Sequence, residues 1–324
     1  MNWNWRKKAA AAGILLLCIL FSACGTGGQG GSAAVREQPV QYTAEQMLLL
    51  TASGRQAVEK LYTDRIWDVR TGAAGRRYED AFYDRMKQFF VELAVMNGIA
   101  AERGVKLDAG EKKVLSEAAR EFYASSVQGR EPFGSLSEED TEEMFRQYAL
   151  ALKLRNQMLQ DRRTEVSESE AKVIRIQQIR TPDENTAQLI YDRASEGADF
   201  YALAKSYETE RSTSLKAGRG ELPEELEKAA FSLEDGEVSS PVLYDGQYYI
   251  FKSLDSYDEA ETAVRRKGLQ SERLRDVLVD ASRDYRRRYR VSLDSQRWEQ
   301  AAAQAGFPYE GESFFTAVKE ALGE

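Results

Sequence analysis

The chain has 324 residues, 45 Lys and Arg against 53 Asp and Glu, a net charge of −8, two cysteines and no histidine. That length exceeds one typical core, so two domains are expected. The acidic balance excludes a nucleic-acid partner, because binding phosphate requires a basic surface.

The chain opens on Arg6-Lys7-Lys8, an apolar run from Ala9 to Phe21, and Ser22-Ala23-Cys24. An apolar run of about 13 residues is too short for a spanning helix, which needs roughly 20, and reads as a secretion signal. The small residues before Cys24 resemble the lipobox of bacterial lipoproteins, with Phe21 where that pattern usually has Leu. The resemblance implies that residues 1–23 are removed and that Cys24 is lipidated, which makes the membrane a partner through a lipid anchor. Loss of residues 1–23 takes three positive charges and no acidic ones from the −8, leaving −11. Cys18 leaves with the signal and Cys24 carries lipid, so the mature chain has no internal disulfide.

Residues 24–43 are Gly- and Ser-rich and read as a flexible tether. The apolar run from Met47 to Thr51 is expected as a strand. Between Tyr78 and Arg103, Phe82, Met86, Phe89, Phe90, Leu93, Met96 and Ile99 recur at steps of three and four, one face of a long helix. Asp108 with Glu111 forms a capping box that starts a second helix, carrying Val114, Leu115, Ala118 and Phe122. A third follows Ser137 and Asp140 and presents Met144, Tyr148, Leu152 and Leu159. Such stripes are helix-helix core, and Met and Phe together also make an adaptable surface for unrelated apolar segments.

At Val173 the texture changes: "VIRIQQI" alternates with period two and reads as a strand. Thr181-Pro182 opens a helix, with Pro in the first turn, that closes at Gly197. "DFYALAKSY" is a further helix, and Glu208 to Gly220 a polar loop. Then comes "LEKAAFSLEDGEVSSPVLYDGQYYIF": a short helix, an acidic turn ending on Gly236, and two strands joined by Asp245-Gly246, a hairpin signal. Tyr257 to Arg290 is helical, with Val264, Leu274, Val277, Leu278, Ala281, Tyr285 and Tyr289 on one side. "VSLDSQRWEQAAAQAG" adds an extended piece and another helix. No phosphate loop or metal-spacing cluster occurs, and neither cofactor nor metal is expected.

Over residues 170 to 254, "EGADFYALAKSY", "LEKAAFSLEDGEVSSPV" and "DGQYYIFK", in that order and spacing, resemble the parvulin family of peptidyl-prolyl isomerases. With a lipidated start and helical flanks, the layout resembles the extracytoplasmic foldases of the PrsA and SurA type. The resemblance implies an α+β fold: a discontinuous, mainly helical chaperone-like domain of residues 44–165 and 258–324, with a parvulin-like domain of residues 166–257 inserted. It implies unfolded or proline-containing secreted polypeptides as partners. Where parvulins typically carry histidines, it places Gln177 and Tyr248; the family's Cys or Asp falls near Thr209 or Glu210. Leu222 and Leu226 align with the apolar proline pocket, with Phe231 beside them on the helix.

Rotating a prolyl bond makes and breaks no covalent bond, so histidine is not chemically obligatory. Three functions therefore stand side by side: a membrane-anchored foldase with a degenerate isomerase domain, an active isomerase, and a solute-binding lipoprotein of a transporter. The last needs two lobes of alternating strands and helices with several parallel strands.

Overall fold

The computed structural model describes residues 36–72, 75–207 and 214–324. The signal, Cys24, the greater part of the expected tether, Thr209 and Glu210 lie outside the described residues. The first stretch of chain holds β1 (Arg36–Pro39), α1 (Ala44–Tyr62), the short strands β2 (Arg70–Thr71) and β3 (Arg76–Arg77), α2 (Tyr78–Glu102), α3 (Ala109–Ser126) and α4 (Glu138–Leu159). Next come α5 (Glu168–Ala171), β4 (Val173–Thr181), α6 (Glu184–Ser195), α7 (Phe200–Tyr207), β5 (Ser214–Gly218), α8 (Glu224–Phe231), β6 (Val242–Tyr244) and β7 (Gln247–Asp255). The chain closes with α9 (Glu259–Arg288), β8 (Tyr289–Ser292), α10 (Ser295–Gln304) and α11 (Phe314–Leu322). It divides into two compact units: residues up to Gln160 together with Arg275–Glu324, and Asp161–Leu274.

In the first unit, capping boxes start three helices. Asp108 with Glu111 opens α3 and Ser137 with Asp140 opens α4, as their spacing predicts. Thr43 with Gln46 opens α1, which contains the Met47–Thr51 run expected as a strand. The run is helical because that cap commits the chain just before it, and Leu48, Leu49 and Leu50 are all buried at its centre. The Phe and Met stripe of α2 is core: Met86, Phe89 and Phe90 are fully enclosed, leaving no client surface there. Its partners come from the far end of the chain. Phe315 of α11 meets Phe89 at 5.6 Å and Tyr148 at 5.3 Å, and Phe314 meets Phe145 at 5.0 Å. Val114 of α3 stays exposed, while Leu115 and Phe122 are buried.

β1 pairs in parallel with β8, Arg36 opposite Tyr289 and Pro39 opposite Ser292. Arg36–Pro39 of the segment expected as tether thus form a strand, and Tyr289 begins a strand instead of continuing the helical stripe. Tyr285 lies against Gly98 of α2, where any Cβ would overlap the phenol, and its hydroxyl bonds to Gln38.

The second unit is a four-stranded antiparallel sheet in the order β5-β4-β7-β6. β5 lies in the stretch expected as a loop. Only Leu215 and Ala217 alternate there, and the strand exists because it pairs with β4, Val173 opposite Gly218 through Gln177 opposite Ser214. Asp183 caps α6 by accepting the Thr186 N–H at 2.7 Å, which leaves Pro182 outside the helix. Asp245 (φ 47°) and Gly246 (φ 72°) form the turn between β6 and β7, both with the positive φ of a type I′ hairpin.

The first turns of α9 complete this unit. Asp258 N–H donates to the Val173 carbonyl at 2.9 Å, Val173 N–H donates to Thr262 Oγ1 at 3.0 Å, and Arg273 bonds to the Glu165 carbonyl and to Glu170. Val264 of the expected apolar stripe is 67% exposed, so these turns are held by hydrogen bonds and ion pairs. The fragment 161–274 is accordingly expected to unfold cooperatively and at a higher temperature than the fragment 166–257, which loses several hydrogen bonds worth roughly 1 kcal/mol each. Equal melting temperatures in calorimetry would show that α9 adds nothing to the unit.

Candidate functional site

Period-two alternation assigns each sheet residue to a face. On one face Ile179 and Ile250 form a cluster with Ala187, Ile190 and Ala194 of α6 and Phe200 and Ala204 of α7. On the other, Ile174, Ile176, Ala217 and Phe251 receive Leu226, Ala230 and Phe231 of α8. α8 starts after Pro223, and Glu224, Glu225 and Glu227 favour its positive N-terminal end. Glu227 also accepts the Gly220 N–H at 2.5 Å and pairs with Arg219 at 3.3 Å, whose guanidinium lies 4.2 Å from the centre of the Phe231 ring. That cation–π contact fixes Arg219 at the rim of the face.

Beyond the part that α8 covers, the same face continues through half-buried Leu215, Leu222, Val242 and Tyr249. Gln178 stands opposite Phe251 in register, and Arg180 opposite Tyr249. Tyr249 stacks on Phe251 with ring centres 6.3 Å apart and planes at 23°, and meets Tyr244 at 6.3 Å. The Gln178 amide, which both donates and accepts, makes no hydrogen bond among the described residues. This is an apolar, aromatic strip bordered by an amide, a phenol and arginines, suited to holding a short apolar peptide by surface and hydrogen bonds. Among the described residues no group of His, Cys, Asp or Glu could hold a metal ion.

Leu222, Leu226 and Phe231 therefore lie together, but Leu226 and Phe231 are buried as core contacts and only Leu222 presents surface. Gln177 and Tyr248 are not with them. Both face α6 and α7: Gln177 pairs across to Lys252 and Ser214, and Tyr248 packs on the Ile179 cluster near Glu184. Burial, and then the Glu184 carboxylate, push the Tyr248 phenol up. The reason is geometric, because in a strand a displacement of one residue transfers a side chain to the opposite face. The neighbouring residues that do share the α8 face are Gln178 and Tyr249. Their signal lies in the sequence: Ile174 and Ile176 fix the even positions of β4 as inward on that side, and Gln178 follows in step. Glu210 lies outside the described residues.

An antiparallel sheet of this topology, two helices on one face and α8 on the other, defines a parvulin-type unit, and residues 158–263 match the PPIC-type PPIASE domain family. The foldase protein PrsA of Caldanaerobacter subterraneus subsp. tengcongensis is 30% identical over 251 residues, covering 68% of this chain and 76% of that protein. The foldase protein PrsA of Bacillus subtilis is 36% identical over 116 residues, 33% of this chain and 38% of its own. The crystal structure of the peptidylprolyl isomerase PrsA from Bacillus cereus aligns with 75% of this chain and 100% of its own, at 22% identity and a TM-score of 0.33. The chain belongs to the PrsA family of foldases. This membership, with β1 and β8 the one parallel pair among the described strands, sets the solute-binding alternative aside.

Proposed function

We propose that the chain is a foldase held by a lipid on Cys24 at the extracytoplasmic face of the membrane, where it assists secreted polypeptides. Its parvulin-type unit binds proline-containing segments on the α8 face and isomerises them slowly. One observation carries this reading: the strip formed by Leu222, Val242 and Tyr249 keeps an apolar, aromatic seat, while the polar groups beside it are Gln178 and Tyr249 in a chain without histidine. A site of this kind lowers the barrier to rotation only by desolvating the imide and bonding to its twisted form, and no nucleophile or metal takes part.

The test compares substitutions on the two faces. Leu222→Ala with Tyr249→Ala is expected to weaken binding of a labelled proline-containing peptide about tenfold, a loss of roughly 1.4 kcal/mol. Gln177→Ala and Tyr248→Phe should leave it unchanged. Catalysis of a proline-limited refolding reaction should stay below a hundredfold, which corresponds to about 3 kcal/mol off a barrier near 20 kcal/mol. Cys24→Ala should release the protein from membranes. Larger acceleration, lost on Gln178→Ala or Tyr249→Phe, would make the chain an efficient isomerase instead.

A further inference from the structure

The first unit contains a groove of about 700 Å3, between β1, α2, the segment after α2, the start of α3, and α4. Its apolar floor is half-buried Leu150 with the small exposed parts of Tyr42, Val105 and Leu107, each under a tenth exposed. Its volume lies in the roughly 300–1,000 Å3 range of ligand sites. The polar residues of the groove divide into two sets. Glu143 is already engaged: it pairs with Arg146 at 3.2 Å and accepts the Gln147 amide at 2.9 Å, while Gln147 Oε1 accepts the Tyr42 hydroxyl at 2.5 Å. Arg146 is held a second time by Glu142 at 3.3 Å. Lys106 and Lys112, also at the groove, make no ion pair among the described residues.

We infer that this groove binds unfolded polypeptide segments in which apolar residues are flanked by aspartate or glutamate. The inference rests on the foldase reading and adds to it the chemistry of the client and a second contact surface. Lys106, Lys112 and Arg146, set against Glu143 and the Glu142 that shares Arg146, leave these side chains with a balance of +1. On a chain of net charge −8, acidic segments are repelled by the surface as a whole and drawn to this groove. Pro39 of β1 lines the groove and has no N–H to offer an added strand, so the segment is held by its side chains and not by sheet extension. Carboxylates meet Lys106 and Lys112, and the neighbouring apolar side chains cover Tyr42, Val105, Leu107 and Leu150.

The experiment measures, on the full chain, the anisotropy of unstructured dodecapeptides of Leu, Phe, Gly and Glu carrying an uncharged dye, against the same peptides with Glu replaced by Lys. The wild type is expected to bind the acidic peptide about tenfold more tightly, and Lys106→Glu with Lys112→Glu to reverse the preference. Both lysines are exposed, so an unchanged melting temperature checks that the variant folds. Equal affinity of the wild type for the two peptides, or an unaltered preference in the double variant, overturns the inference. So does complete displacement of the peptide by millimolar inorganic phosphate, which marks a small-anion site. Binding to phosphatidylglycerol vesicles without binding to peptide overturns it in favour of a lipid surface. Aggregation suppression in the same preparations separates the two readings. Suppression without charge preference leaves the foldase reading and ends this one, whereas charge preference without suppression of any client does the reverse.

Discussion

Phe251→Ala is expected to destabilise the parvulin-type unit by about 3–5 kcal/mol and to abolish peptide binding on the α8 face. Phe251 has no exposed surface, lies at the centre of the cluster that receives Leu226, Ala230 and Phe231, and supports Tyr249 by stacking. Its backbone is as fully committed as its ring: the N–H donates to Ser239 Oγ at 2.9 Å and the carbonyl accepts the Ser239 N–H at 2.8 Å. Alanine keeps those bonds and removes only the ring, so the variant isolates packing from strand pairing. The cavity left lies beneath α8, a helix of eight residues that is too short to persist without its docking surface. Hydrogen exchange should therefore show the greatest loss of protection in α8, and less in α6, whose cluster around Ile179 and Ile250 lies across the sheet. Equal loss in both helices would mean that the two faces fold as one unit, and that the α8 face has no separate role in presenting the site.

How much of this was readable without coordinates differs from element to element. The capping boxes at Asp108 and Ser137, the hairpin at Asp245-Gly246 and the strand from Val173 are local signals, each written in a few adjacent residues, and each forms where its chemistry predicts. β1 and β5 left no such mark. β1 is a four-residue strand whose partner β8 lies some 250 positions away in the chain, and β5 has only two apolar residues; both exist through pairing, which a local pattern does not contain. The site shows a third kind of difficulty. The resemblance points to Gln177 and Tyr248, whereas Gln178 and Tyr249, one position along, share the face that α8 packs on, and a single step reverses the face. Phe251 and Ile176, whose burial is absolute, fix the parity that separates the two assignments. The groove of the first unit depends on residues from four elements and has no linear signature.

Glu92→Gln is expected to remove most of the pH dependence of stability in the first unit between pH 5 and pH 8. Glu92 lies on α2, 4% exposed, with Oε2 lacking any hydrogen-bond partner among the described residues. Burial pushes its carboxyl up to about 8, against the opposing effect of the Arg286 cation. The protonated form is therefore the one the folded unit accommodates, whereas the unfolded chain gives up this proton near pH 4.5. Between those values the folded state binds more protons than the unfolded, so stability falls as pH rises through this window. Each unit of difference corresponds to about 1.4 kcal/mol, which sets the whole effect at a few kcal/mol once water entry and relaxation around the ion are allowed for. The chain supplies an unusually clean background, since it has no histidine to titrate in the same range. The wild type should melt at progressively lower temperature from pH 5 to pH 9, and Glu92→Gln should flatten that slope and become the more stable protein at pH 9. A wild-type slope that survives the substitution would place the titration elsewhere. Glu312, also raised above its ordinary range by burial, would then be the residue to replace.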